Sequence, residues 1–279
     1  MRYAFFLLLA AFTLGACNLE KDIDIELPAY ESQIVLECYL EPGKPFRLSL
    51  SRGSGFFDSL PSRDPLGFLG KILVQEARVT IRHAGTTYVL DNRLIFDGKE
   101  QRLYNYQADA LVPLDTLQPF TLEILTKDGK TITASTKLLP VVPIDSIVIN
   151  FKEGDTLARA LTYFTDPPGQ PNYFRRVLHL NTLDSIPEQD FTVDDRFVEN
   201  VFVFGSGYDY QVGDTLINTI YHIDQAYFNF LESLQRAVFA NINPFAQPSS
   251  ILSNLGGTAN AIGVFTGLQY SRVETVIRR

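Results

Sequence analysis

From Gln33 the apolar residues recur at every second position: Ile34, Leu36, Cys38 and Leu40 alternate with Val35, Glu37, Tyr39 and Glu41. A period of two puts one set on a buried face and the other on a mixed face, so the stretch predicts a half-buried β-strand. Runs of the same kind fall at 46–52, 77–83, 86–90, 103–108, 120–126 and 131–138. Turn chemistry separates them at Glu41-Pro42-Gly43, Ala84-Gly85 and Lys127-Asp128-Gly129-Lys130, the last of hairpin type. About seven short strands in roughly 110 residues, with no helical period, predict an immunoglobulin-like β-sandwich. It occupies residues 33–140.

Pro140 and Pro143 place a boundary near residue 141, and a second β-rich domain is expected over 141–279. Its strand candidates are 144–151, 157–164, 174–181, 197–204, 216–223 and 263–270. One amphipathic helix is predicted over 225–240, with Asp224 as N-cap and Ile223 stapled on Phe228. Tyr227, Phe230, Leu231, Leu234, Ala237 and Val238 share its apolar face. The fold class is thus mainly β, two tandem β-sandwich-like domains with one helix near the C-terminus.

The connection at 53–71 is too long for a plain link between sandwich strands. Gly53, Gly55, Pro61, Pro65, Gly67 and Gly70 argue against a regular helix or strand there, whereas Phe56, Phe57, Leu66, Phe68 and Leu69 need burial. These apolar residues are candidates for a partner or ligand surface, or for an Ω-loop that covers the first domain.

At the N-terminus Met1-Arg2 precedes an apolar run over 4–14, too short to span a bilayer, and then Leu14-Gly15-Ala16-Cys17. This order resembles the bacterial lipoprotein box. It implies a signal peptide over 1–16, lipidation of Cys17, a polar tether over 17–32 and attachment to a membrane through acyl chains. Glu20-Lys21-Asp22 resembles the export signals that carry Bacteroidota lipoproteins to the cell surface. The formal charge is −8, with no cluster of Lys and Arg, which argues against nucleic acid as a partner. With Cys17 acylated, Cys38 has no disulfide partner and reads as a small buried apolar residue.

Catalytic signals are weak. His83, His179 and His222 lie on three different strand candidates without metal-ligand spacing, and Gly205-Ser206-Gly207 lacks the outer residues of a nucleophile elbow. Asp190, Asp194 and Asp195 form an acidic cluster, either a weak calcium candidate or a solvated loop. No cofactor is expected. Asp followed by Ser or Thr and an aliphatic residue marks Ser59, Thr116, Ser146, Thr156, Ser185 and Thr215. The pattern resembles the Bacteroidota O-glycosylation signal; the same dipeptides also start strands by turn hydrogen bonding.

The helix region from Tyr227 to Leu234, then Asn243-Pro244-Phe245, Pro248, Ser253-Asn254, Gly256-Gly257 and Gly263-Val264-Phe265, is similar to the end of a Bacteroidota lipoprotein family, the domain of unknown function 4249. The lipoprotein box, tether and strand at 34–40 resemble its start. The resemblance implies an outer-membrane, surface-facing lipoprotein that accompanies a TonB-dependent receptor of the nutrient-uptake kind. It supplies no catalytic residues. The expected role is a non-enzymatic accessory or ligand-binding protein; the alternatives are a structural or adhesive surface protein and a glycan or peptide hydrolase.

Overall fold

Among the described residues, alternation along the chain is realised as sixteen strands and two helices. A computed structural model of the protein describes residues 32–53, 65–98, 101–154, 156–198, 200–243, 247 and 249–279. The first half holds β1 (Ile34–Leu40), β2 (Pro45–Arg52), α1 (Pro65–Ile72), β3 (Arg78–His83), β4 (Thr86–Asp97), β5 (Arg102–Leu111), β6 (Phe120–Leu125) and β7 (Thr131–Thr136). Then come β8 (Ser146–Phe151), β9 (Ala158–Thr165), β10 (Tyr173–Leu180), β11 (Gln189–Asp194), β12 (Val201–Gly205) and β13 (Thr215–Ile223). The chain ends with α2 (Gln225–Ile242), β14 (Gly256–Gly257), β15 (Ala261–Gly267) and β16 (Gln269–Val276).

The first nine strands in space run β14-β7-β6-β3-β4-β5-β2-β1-β15. The early part of β4 pairs with β3 and its later part with β5, across a register shift between Asn92 and Ile95. That irregularity bends the ladder into two facing layers. Phe46 of β2 consequently meets Tyr88 of β4 at 4.5 Å between ring centres, and Phe120 of β6 at 6.4 Å. Leu36, Cys38, Leu48, Ile81, Ile124, Ile132 and Phe265 complete the core between the layers. Burial pushes the Cys38 thiol far above its usual range, which suits a packing role.

The second sandwich faces a sheet of order β11-β10-β13-β16 against one of order β12-β9-β8. Phe164, Phe174, Phe202 and Phe204 pack between them, with Leu178 and Leu216 beyond. The tempting Ser206 is structural: its Oγ accepts the Ala160 N–H at 2.9 Å.

The sequence boundary near 141 does not divide the chain cleanly, because β14 and β15 return to the first sheet and β15 pairs in parallel with β1. Only Leu268 separates β15 from β16, so one extended segment passes directly from the first sandwich into the second. Val142 is buried rather than a free link, and Ser32–Arg279 forms one compact unit. The linking residues are also tied down. Gln269 Nε2 donates to Leu139 O at 2.8 Å, and the His222 ring meets Pro140 O at 2.9 Å.

Two further expectations are corrected. The 53–71 connection contains α1, which begins at Pro65; proline is tolerated in a first helical turn because its missing N–H has no intrahelical partner there. The acidic stretch around Asp190 and Asp194 is not a loop but strand β11, with its polar and apolar residues alternating.

One core feature carries a prediction. Arg176 of β10 points inward and is fully buried, donating to Gln189 Oε1 at 2.5 Å, Gly205 O at 3.3 Å and Asn218 Oδ1 at 3.1 Å. None of these is a carboxylate, and burial lowers the guanidinium to about 10. Arg176 Nε and Asn218 Nδ2 meet no acceptor among the described residues. Asn218→Asp gives this cation a counter-ion, removes an orphaned donor and keeps the acceptor for the Thr162 hydroxyl. It is expected to stabilise the fold by about 1–3 kcal/mol. A lower denaturation midpoint for Asn218→Asp would contradict this account.

Candidate functional site

Strand β10 alternates Phe174, Arg176 and Leu178 toward the core with Tyr173, Arg175 and His179 on the opposite face. Cross-strand register sets Arg175 beside Tyr221, and Tyr221 beside Tyr270. This tyrosine-rich face is met by α2, whose start is fixed by Asp224. Asp224 Oδ1 accepts the Tyr227 N–H at 2.7 Å, as expected for the N-cap, while Oδ2 accepts the Thr136 hydroxyl at 2.9 Å. The cap therefore also ties the helix to β7.

Tyr227 lies at the centre of the seam. Its hydroxyl accepts from Arg175 Nη1 at 3.0 Å, and Arg175 forks its Nε and Nη2 onto Asp190 at 2.7 and 2.5 Å. On the other side the Tyr227 ring stands edge-on to Tyr39 of β1 at 5.9 Å. The Arg102 guanidinium of β5 lies 4.2 Å from the centre of that Tyr39 ring, a cation–π contact. Tyr39 Oη donates to Glu37 Oε2 at 3.3 Å. Burial pushes the hydroxyls of Tyr39 and Tyr227 up, so both stay protonated. Burial works against the Arg102 and Arg175 cations, but the Tyr39 and Glu37 groups around the first, and Asp190 and Tyr227 around the second, raise both on balance. The result is a charged, aromatic seam that joins the two sandwiches.

Arg175 and Asp190 also line an open groove of about 310 Å³ between β11 and α2. Leu231, Leu234 and Val238 form the helix wall, and Phe191 and Thr192 the strand wall. The Thr192 hydroxyl bonds the Glu232 carboxylate, which fixes the helix against the strand. Only Tyr227, Phe230 and Ser233 of α2 are buried, a narrower stripe than the sequence pattern indicates. Leu234 is 37% exposed, Val238 53%, Phe239 57% and Ile242 75%, so the second half of the helix offers an uncovered apolar surface. Apolar walls beside a fixed ion pair are suited to holding a ligand.

A family model described as Domain of unknown function (DUF4249) matches residues 20–274. The chain belongs to the DUF4249 family. The matched residues include both sandwiches, the seam and the groove. No curated protein matches the chain.

Of the described site residues expected from the DUF4249 sequence, Asp190 lines the groove. Cys17, Phe56, Phe57 and Ser59 are outside the described residues. Leu66 lies in α1, and Phe68 and Leu69 on the same helix are half-buried. The acidic cluster is dispersed among separate partners: Asp190 holds Arg175, Asp194 holds Arg196 at 2.8 Å, and Asp195 accepts the Asn172 N–H at 2.7 Å. Among the described residues no group of three acidic, His or Cys side chains is placed to hold a metal. Of the Asp-Ser/Thr positions, Ser146 and Thr156 are exposed, while Thr116, Ser185 and Thr215 are half-buried. The groove was missed because Asp190 and its neighbours read as a wet charge run. The signal that finds it is Phe191 and Val193 alternating with Asp190, Thr192 and Asp194.

Proposed function

We propose that this is a lipid-anchored outer-membrane protein facing the cell exterior, a non-enzymatic accessory or ligand-binding component that works beside a TonB-dependent nutrient-uptake receptor. The observation that carries the binding role is the open groove, in which apolar side chains of α2 stand beside the Arg175–Asp190 pair. An ion pair already locked at both ends orients a bound group; its carboxylate is committed to the guanidinium and is ill suited to proton transfer. The anchor reading is supported by Leu14-Gly15-Ala16-Cys17. Metabolic labelling with a fatty-acid probe is expected to mark the wild type and not Cys17→Ala. Persistent labelling and membrane retention of Cys17→Ala would remove the anchor. Co-purification from the native outer membrane is expected to bring down a receptor. Isolation without one, together with cleavage of a glycan or peptide panel that is lost on changing one carboxylate, would restore the hydrolase reading.

A further inference from the structure

We infer that the open edge of β11, together with the α2 groove, is a strand-addition site for an extended peptide that carries alternating apolar and basic residues. Among the described residues, strand β11 ends its sheet, with β10 on one side only. Asp195 N donates to Asn172 O at 3.2 Å, and this in-register bond sets the phase of the ladder. Because antiparallel pairing alternates, Gln189, Phe191 and Val193 direct their peptide groups at β10, while Asp190, Thr192 and Asp194 direct theirs outward. Among the described residues, no backbone hydrogen bond from outside the sheet occupies those three groups. An edge of this kind pairs with another chain unless something blocks it.

The adjoining surface fits the side chains of such a partner. The groove lies beside the edge, with Leu231, Leu234 and Val238 opposite Thr192, and its volume has room for an apolar side chain. Recognition by backbone hydrogen bonds, with alternate side chains seated in pockets, is the known logic of strand addition. Charge narrows the occupant. Asp190 and Asp194 are paired with Arg175 and Arg196, so Glu188 and Asp195 set the net negative charge of this edge and favour basic residues in the peptide. A second copy of the chain is disfavoured by the same charges, since pairing β11 with itself sets Asp190 and Asp194 against their own kind. An anionic lipid surface is repelled likewise.

The site gives the proposed binding role its ligand class and rests on that role only in taking the groove as the working surface. Fluorescence anisotropy of the purified full chain with a labelled peptide of alternating leucine and lysine tests it. Thr192→Pro removes an outward N–H that β10 does not use, a substitution tolerated on edge strands. Thr192→Val keeps that N–H and removes only the hydroxyl. Binding is expected to weaken by at least about tenfold for Thr192→Pro, for Leu234→Glu with Val238→Glu, and for a peptide N-methylated at alternate residues. Thr192→Val, which loses the Glu232 contact but keeps the outward N–H, is expected to weaken binding less than Thr192→Pro does. Equal binding of the N-methylated peptide would overturn the inference even if Thr192→Pro failed to fold. A wild-type dimer that Thr192→Pro dissolves, with no peptide binding, would assign the edge to a second copy and overturn it too. Receptor capture that persists after this site is lost would sink the site alone. Peptide binding through this edge in a chain that captures no receptor would sink the receptor assignment and leave the site standing.

Discussion

Gly263→Ala is expected to cost more than about 4 kcal/mol and to leave little folded protein at ordinary temperatures. Gly263 sits at φ +131, and a Cβ there would lie 1.8 Å from the carbonyl oxygen of Leu36 and 2.8 Å from its carbon. Both are backbone atoms of β1, directly opposite in the parallel register, so no side-chain rotation relieves the clash. Backing β15 away would separate it from β1 and expose Val264 and Phe265, both fully buried. The displacement would also travel. β15 runs through Leu268 into β16, and Leu268 N is bonded to Leu40 O at 2.8 Å. Pulling one end disturbs the edge of the second sheet. Gly70→Ala is the matched control, because its Cβ meets nothing within 4 Å on α1. It is expected to be neutral or to gain up to about 1 kcal/mol. Thermal unfolding decides: a Gly263→Ala midpoint within about 3 °C of wild type would mean that β15 yields freely.

That glycine marks the limit of what the sequence discloses. Strand β1 is legible because half its residues face a core and half do not, a local pattern that needs no knowledge of the partner. The Lys127-Asp128-Gly129-Lys130 hairpin and the Asp224 cap are legible for the same reason, as each contact joins residues a few positions apart. The parallel pairing of β1 with β15 joins Leu36 to Gly263, and no local pattern encodes it. The groove is half legible: the apolar stripe of α2 is visible, but its uncovered second half appears only once β10 and β11 are seen to pack against the first turns. Strand β11 was hidden by its charges. Burial of Arg176 runs against its charge: alternation with Phe174 and Leu178 puts it on the core face, yet an arginine is almost never fully buried unless paired.

Asn105→Ala is expected to destabilise the protein by about 3–5 kcal/mol, a large effect for a residue that no motif marks. Asn105 lies in β5, 2% exposed, where pairing with β2 has run only as far as Leu48 opposite Tyr106. Its side chain stands in for the missing strand partner. Oδ1 accepts the Leu50 N–H at 2.7 Å, and Nδ2 donates to Leu50 O and to Val74 O, each at 2.9 Å. Val74 follows α1 and itself donates to Leu50 O at 3.0 Å, so the amide seats the end of that connection on the first sandwich. Alanine leaves the Leu50 N–H and the Val74 carbonyl buried without acceptor or donor, and adds a void beside the core. Asn105→Asp separates the two contributions. It preserves volume and the bond from Leu50 N, but turns a donor into a charged oxygen facing two carbonyls, so it is expected to cost at least as much as alanine. Urea titration of the purified chain measures both. If Asn105→Asp proves milder than Asn105→Ala, volume rather than hydrogen bonding holds this corner. A loss below about 1 kcal/mol for alanine would show that the Val74 connection is seated by other contacts.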